Sequence, residues 1–265
     1  PDMLNKINED NIDESLRSDK LVLDSKEAEH GISVIKSRAK QKAKMSVSDF
    51  SQYYQNKYEN IKSLIQNKAE NLVSINKAKN EPSKLSVIGM IKQNTQQGII
   101  IEDVTGEIEV ITKEQADEDD VLGVTGSVRE SRLFAESIIY PDIQINRKIG
   151  SLDETITLSY KPKQNTITPD KTPQYIEISN NNKVVILAYK TESNKEKTIA
   201  MLKKRHLSPK RNEIMSSEDV FFINKIPEIF WIISENKWSH IHRGVLILSC
   251  EEAKINLKTM EFEIL

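Results

Sequence analysis

A mainly β fold with an α/β portion is what this sequence predicts, on three observations. Between residues 85 and 145, Val- and Ile-rich runs alternate with turn signals, the pattern of a small antiparallel barrel. After Gly150, apolar residues again fall in short strand-like runs, interrupted by one helix signal. Before residue 85, one long stretch carries the spacing of an amphipathic helix. In chain order this gives a flexible charged linker (1–45), a helical connector (46–84), a barrel (85–150) and a strand-rich remainder (151–265).

Residues 1–45 scatter a few apolar side chains (Ile7, Ile12, Leu16, Leu21, Val22, Leu23) among Asn, Asp, Glu and Lys. Such a segment buries too little to offset its own chain entropy, which predicts a solvated linker. Lys36, Arg38, Lys40, Lys42 and Lys44 alternate near its end. Alternate spacing does not place all five on one helical face, so solubility is the simpler reading and phosphate contact the other.

The connector opens on Ser46 and Asp49, spaced as a capping box. Phe50, Tyr54, Tyr58, Ile61, Ile65 and Leu72 then form one apolar stripe, interleaved with Lys57, Lys62 and Lys68. Aromatics among lysines suit nucleic-acid stacking, but this spacing fits better a helix docked on a neighbouring domain. Pro82 closes the connector.

The barrel reads LSVIGMIKQNTQQGIIIEDVTGEIEVIT (85–112), an acidic loop, then VLGVTGSVRESRLFAESIIYPDI (121–143). Asp103 through Gly106 reads as a hairpin turn. Gly98, Gly123 and Gly126 sit in or beside strands, where walls bend or backbones approach closely. Five strands in about sixty residues is the size of an OB-fold barrel. Barrels of this kind that clamp single strands need exposed aromatics beside a basic groove. Here the aromatics are Phe134 and Tyr140, the arginines Arg129 and Arg132, and Asp117, Glu118, Asp119 and Asp120 make a loop acidic. A protein-binding scaffold fits this composition better than a tight single-strand clamp.

Beyond Gly150, residues 155–160, 175–179 and 183–189 read as strands, the last two joined at Asn180, Asn181 and Asn182. Ser193 and Glu196 read as a second capping box, opening a helix that stops before Pro209. Lys203, Lys204 and Arg205, with Lys210 and Arg211, form the densest basic cluster. It reads either as a phosphate contact or, more simply, as a solvated helix end complementing the dipole. Residues 220–223, 229–233 and 244–248 read as strands, and 255–265 as a hairpin.

Charge balances closely, with 38 Lys and Arg against 40 Asp and Glu, so net charge favours no partner class. The single cysteine, Cys250, excludes an internal disulfide framework and reads as a small buried hydrophobe. With no signal-like apolar N-terminus, the expected compartment is the cytoplasm. No apolar run approaches membrane-spanning length. Gly-rich phosphate loops, G-x-S-x-G and H-E-x-x-H are missing. Of His30, His206, His240 and His242, only the last two have ligand-like spacing; on a strand both would share a face. Converging carboxylates for a hydrolytic metal pair are not supplied by any Asp-x-His or Asn-His dipeptide. The expectation is no catalytic residue, no metal and no cofactor, with His240 and His242 at most a remnant.

Several blocks carry a resemblance: IIYPDI (138–143) after LSVIGMI and DVTGEIEVI, the helix DFSQYYQNKYENIKSLI (49–65), MLKKRHLSP (201–209), DVFFINKIPEIF (219–230), RGVLILS (243–249) and INLKTMEFEIL (255–265). Together they make residues 45–265 resemble, with gaps, the small subunit of the archaeal family-D DNA polymerase, related to the B subunits of eukaryotic replicative polymerases. The resemblance implies an OB-fold barrel followed by a calcineurin-like phosphoesterase α/β sandwich with a metal-dependent 3′–5′ exonuclease. It also implies a partner, the large catalytic subunit. The sequence departs from that pattern where chemistry would sit. Asp-x-His, Asp and Asn-His motifs should follow YPDI, yet the chain passes in about twenty residues to TPDKTPQYIEIS (168–179), a strand beyond them. A His-x-Gly-His-x-His block should follow Ile229-Phe230. With spacing kept, Trp231, Ser234 and Asn236 take the histidine places; with a loop deleted, Ser239-His240-Ile241-His242 does. Either way the phosphoesterase domain reads as a shortened remnant. The expected function is a non-catalytic accessory subunit supporting DNA replication, with DNA contact weak or indirect. The alternatives are a residual exonuclease and a stand-alone single-stranded-DNA-binding protein.

Overall fold

The computed structural model describes residues 33–37, 45–81 and 83–265. Most of the stretch read as a linker, 1–45, with its alternating basic run beyond residue 37, and Pro82 lie outside them. The chain packs as two units, each interrupted in sequence. One combines residues 33–37 with Lys148–Glu192 and Pro227–Leu265; the other combines residues 45–147 with Ser193–Ile226.

The second unit is built on a closed barrel of β2 (Lys84–Asn94), β3 (Gly98–Asp103), β4 (Gly106–Ile111), β5 (Val121–Arg129) and β6 (Arg132–Ile139). Its strand order is β2-β3-β4-β6-β5, closed by the β2–β5 ladder and a parallel β4–β6 pair. Leu85, Val87, Ile99, Ile101, Ile108, Val110, Leu122, Val124 and Leu133 fill it. The Asp103 side chain organises the β3–β4 turn: Oδ1 accepts from the Thr105 and Gly106 amides at 2.7 and 3.1 Å. Its Oδ2 accepts from the Ile75 amide at 3.0 Å and so caps the short helix α2 (Ile75–Ala78), whose Ile75 and Ala78 join the barrel core. Two of the three singled-out glycines mark backbone-to-backbone approach. A Cβ on Gly98 would stand 1.9 Å from Val110 O, and one on Gly126 2.1 Å from Phe134 O, at a register shift in the β5–β6 ladder.

Helix α1 (Val47–Ile65) starts at the Ser46–Asp49 capping box. Its buried face is Tyr53, Lys57, Tyr58, Ile61 and Ile65, rotated from the expected stripe: Phe50 and Tyr54 are half-buried and Leu72 is exposed. Ile61 and Ile65 pack with Ile88 and Val121, and the Tyr58 hydroxyl donates to Ile88 O at 3.1 Å. Helix α3 (Lys195–Lys204) is capped by Asn194, whose side chain accepts from the Lys197 amide, one residue later than the expected Ser193 cap. Ser193 instead exchanges a hydroxyl bond with Thr198. Residues 220–223 form no strand; a single bridge joins His206 to Phe222.

The first unit is a two-sheet sandwich. Its larger sheet has the order β1-β8-β9-β10-β12-β11: β1 (Ser33–Ser37), β8 (Gln174–Ser179), β9 (Lys183–Lys190), β10 (Ile229–Ile233), β12 (Val245–Ser249) and β11 (Trp238–His242). Strand β1, inside the stretch read as linker, pairs with β8. Strands β9, β10 and β12 are mutually parallel. The smaller sheet is β14 (Phe262–Ile264), β13 (Glu252–Asn256) and β7 (Thr155–Ser159). Ile186, Ala188, Ile229, Trp231, Leu246 and Leu248 pack between the sheets with Leu158, Ala253 and Ile255. Leu187, Tyr189, Phe230, Ile232 and Ile247, on the opposite face, are buried too. Burial on both faces explains why these strands read as continuous apolar runs instead of alternating ones.

Candidate functional site

In open sheets with parallel strands, ligands usually sit beyond the strands' carboxyl ends. In the first unit that edge follows Lys190, Ile233 and Ser249. Glu192 Oε2 accepts there from Ser234 Oγ at 3.1 Å and Asn236 Nδ2 at 3.0 Å, while Ser249 Oγ donates to Asn236 O at 2.7 Å. Trp231 lies in the sandwich core, its indole donating to Cys250 O at 2.9 Å. The edge thus carries one carboxylate bridged to two neutral side chains, a set suited to holding a loop closed. His240 and His242 do share a strand, β11, and both are half-buried. The antiparallel register sets His240 opposite Ile247 and His242 opposite Val245, running towards the amino end of β12 and away from that edge. Among the described residues, no group of three or more His, Cys, Asp or Glu side chains is placed to hold a metal ion. Burial pushes the Cys250 thiol up to about 11, which keeps it protonated and a poor nucleophile.

In the second unit, the loop of residues 112–120 and the C-terminal end of α3 enclose a groove of about 530 Å³, lined by Asn94, Glu114, Asp117, Tyr140, Lys203 and Lys204 among others. The loop is strapped to β2: Asp119 N donates to Ile91 O at 2.9 Å, Ile91 N to Asp120 O at 2.7 Å, and Asn94 Nδ2 to Ala116 O at 3.0 Å. Its acids meet the lysines. Lys204 Nζ lies 2.6 Å from Asp117 Oδ2 and 2.5 Å from Asp120 Oδ2, the latter an ion pair without hydrogen-bond alignment. Lys203 Nζ sits 3.5 Å from Glu114 Oε1 and 3.9 Å from the centroid of the Tyr140 ring. Burial works to lower the Lys204 ammonium, but Asp120 and Asp117 outweigh it and raise it; Lys204 in turn holds Asp117 low. Burial, with Glu114 beside it, pushes the Tyr140 phenol above its ordinary value.

Beneath this groove lies a buried polar cluster. The His206 amide follows Arg205, which ends α3 in a left-handed conformation. Ser208 N donates to His206 Nδ1 at 3.0 Å, so that nitrogen is unprotonated and Nε2–H faces Asp219 Oδ1 at 3.1 Å. Tyr53 Oη stands 3.4 Å from the same Nε2. Asp219 Oδ2 is buried without a hydrogen-bond partner, and the charge facing it is the buried Lys57. Burial lowers the Lys57 ammonium, against the pull of Asp120 and Asp219. Burial, followed by Lys57, lowers the His206 imidazole, with Asp219 opposing. In the unfolded chain His206 takes up a proton near its ordinary value of about 6.5, which the folded chain refuses. Its contribution is therefore complete above that pH and lost as pH falls below it. The thermal midpoint at pH 5.0 should lie below that at pH 7.5, and His206→Gln should shrink the difference.

The residues expected to touch nucleic acid are thus differently placed. Arg205 is buried, with Nε donating to Ile223 O at 2.7 Å and an Nη to Asn224 O at 2.9 Å. Lys203 and Lys204 face the acidic loop. Lys210 is exposed, and Arg211, also exposed, lies over Phe50 at 5.8 Å. Arg129 and Arg132 are partners at the β5–β6 hairpin, the former over Phe134 at 6.0 Å and the latter 3.4 Å from Glu109. Sequence reasoning missed Tyr53, Asp219 and Glu192, and took Lys57 only as one of the lysines between the aromatics, where the structure buries it. A lysine four residues after a tyrosine on the inner face of α1 was the one available signal, and surface composition hides it.

Comparison with known proteins adds one finding. Part of the chain resembles a polymerase subunit. The chain is 31% identical over 112 residues to the DNA polymerase II small subunit of Archaeoglobus fulgidus, a match covering 38% of this chain and 23% of that protein's length. No family model matches. No helix among the described residues is long and apolar enough to cross a membrane.

Proposed function

We propose that this chain is a non-catalytic accessory subunit of a DNA polymerase, binding a large catalytic subunit of the family-D type and supporting DNA replication. The observation that carries the reading is the likeness to the DNA polymerase II small subunit. Two structural features support it. The strand order β2-β3-β4-β6-β5 with a parallel β4–β6 closure fits an OB-fold barrel. The sandwich with parallel β9, β10 and β12 fits the remainder of a calcineurin-like phosphoesterase, shortened here to residues 151–192 and 227–265, since 193–226 pack with the barrel unit. In that reading Ser234 and Asn236 stand at the strand ends where a metal-dependent exonuclease would present imidazoles, and Glu192 ties both into a loop. In that reading the site ties the loop to the sheet, with neutral side chains where hydrolysis would call for metal ligands.

Co-expression with the cognate large subunit should yield a single co-eluting complex on size exclusion; two separate peaks would sink the idea. The purified chain with Mn²⁺ should leave a 3′-labelled single strand intact. Degradation abolished by His240→Ala with His242→Ala would instead establish the exonuclease alternative.

A further inference from the structure

We infer that residues 112–120 are an intramolecular stand-in for a polyanion, masking a phosphate-binding cation pair on α3. Lys203 and Lys204 end a helix beside the Tyr140 ring, a combination that binds phosphodiester strands when exposed. Here carboxylates of the same chain occupy both ammonium groups: Glu114 on Lys203, Asp117 and Asp120 on Lys204. Three acids answer these two lysines, with Lys57 and Lys197 as further nearby cations, and Glu118 and Asp119 add negative charge along the loop. The loop is not a passing visitor. Its backbone is tied to β2 at Ile91 and Asn94, so its acids are held over the lysines without any ordering cost at the moment of contact. A free strand approaching the groove must displace preorganised carboxylates and meets like charge first. The mask is also graded. Asp120 is buried and structural, whereas the Asp117 and Glu114 side chains are 81% and 42% exposed and can be neutralised with little effect on packing. The inference concerns this chain alone and does not rest on the polymerase reading.

The test is fluorescence anisotropy of a labelled twenty-residue oligothymidine with the purified full chain. Glu114→Gln with Asp117→Asn should bind about tenfold tighter than wild type near 50 mM salt, with the salt slope steeper by about 1.4, the value for two phosphates on a single strand. Adding Lys203→Gln should return affinity most of the way to wild type. Asp117→Asn alone, at the most exposed acid, should give about a threefold gain by removing one of those charges, and serves if the double variant melts early. An unmasked variant that binds no tighter, or tighter binding that survives Lys203→Gln, would overturn the inference.

Discussion

Replacing Lys204 by methionine should lower the free energy of unfolding by about 3 kcal/mol, read as a shift in the urea midpoint at unchanged slope. The Lys204 side chain is 14% exposed and that of its partner Asp120 4%. Removing the cation leaves the Asp120 carboxylate buried, and an uncompensated buried charge costs far more than a surface pair contributes. Lys57, which also faces Asp120, blunts the loss and sets the figure at the lower end of the usual range. Lys204→Met combined with Asp120→Leu should recover more than half, because both charges are then gone. If the double variant is as unstable as the single one, the ion pair is not the source of the loss. The exposed pairs, such as Lys84 with Glu136, should by contrast be removable with no measurable effect.

Gly126→Ala should be comparably damaging. The added methyl would meet Phe134 O at 2.1 Å and Phe134 C at 2.9 Å, both backbone atoms of the paired strand. No side-chain rotation relieves such a contact, so the β5–β6 ladder must open at its register shift. A cost of about 3 kcal/mol is expected for overpacking of this kind, a fall of about 6–12 °C in the melting midpoint of a unit this size. Gly89→Ala, whose methyl would meet only the Ile101 side chain, should cost less. Equal losses at the two positions would contradict the backbone argument.

The parts of the fold legible in the sequence are those set by local chemistry. The capping box at Ser46, the turn at Asp103 and the asparagine hairpin before β9 each bond within a few residues, so composition reveals them. The doubly buried runs VVILAY, IFWII and VLILS announce themselves by continuous apolarity. Strand β11, WSHIH, does not: on a sheet edge its polar residues carry no strong strand signature. The groove was illegible for a different reason. Lys204 and Asp117 are 87 residues apart, and a basic run and an acidic run look like two solvated faces until folding brings them together. The inner face of α1 misled through Lys57, since a lysine is the residue least expected at 5% exposure.

The interrupted packing of the two units has a consequence for biosynthesis. Strand β9 ends at Lys190, but its parallel neighbour β10 begins only at Ile229, and the intervening residues 193–226 belong to the other unit. At ribosomal rates of 5–20 residues per second, the apolar edge of β9 waits about 2–8 s after leaving the exit tunnel for the strand that covers it. During that pause the nascent chain offers KVVILAYK, high in β propensity and free of proline, to any other strand it meets. Neither unit can be finished while the other is still unstarted, so folding of the two is coupled through the order of synthesis, and a ribosome stalled between residues 191 and 225 leaves both incomplete.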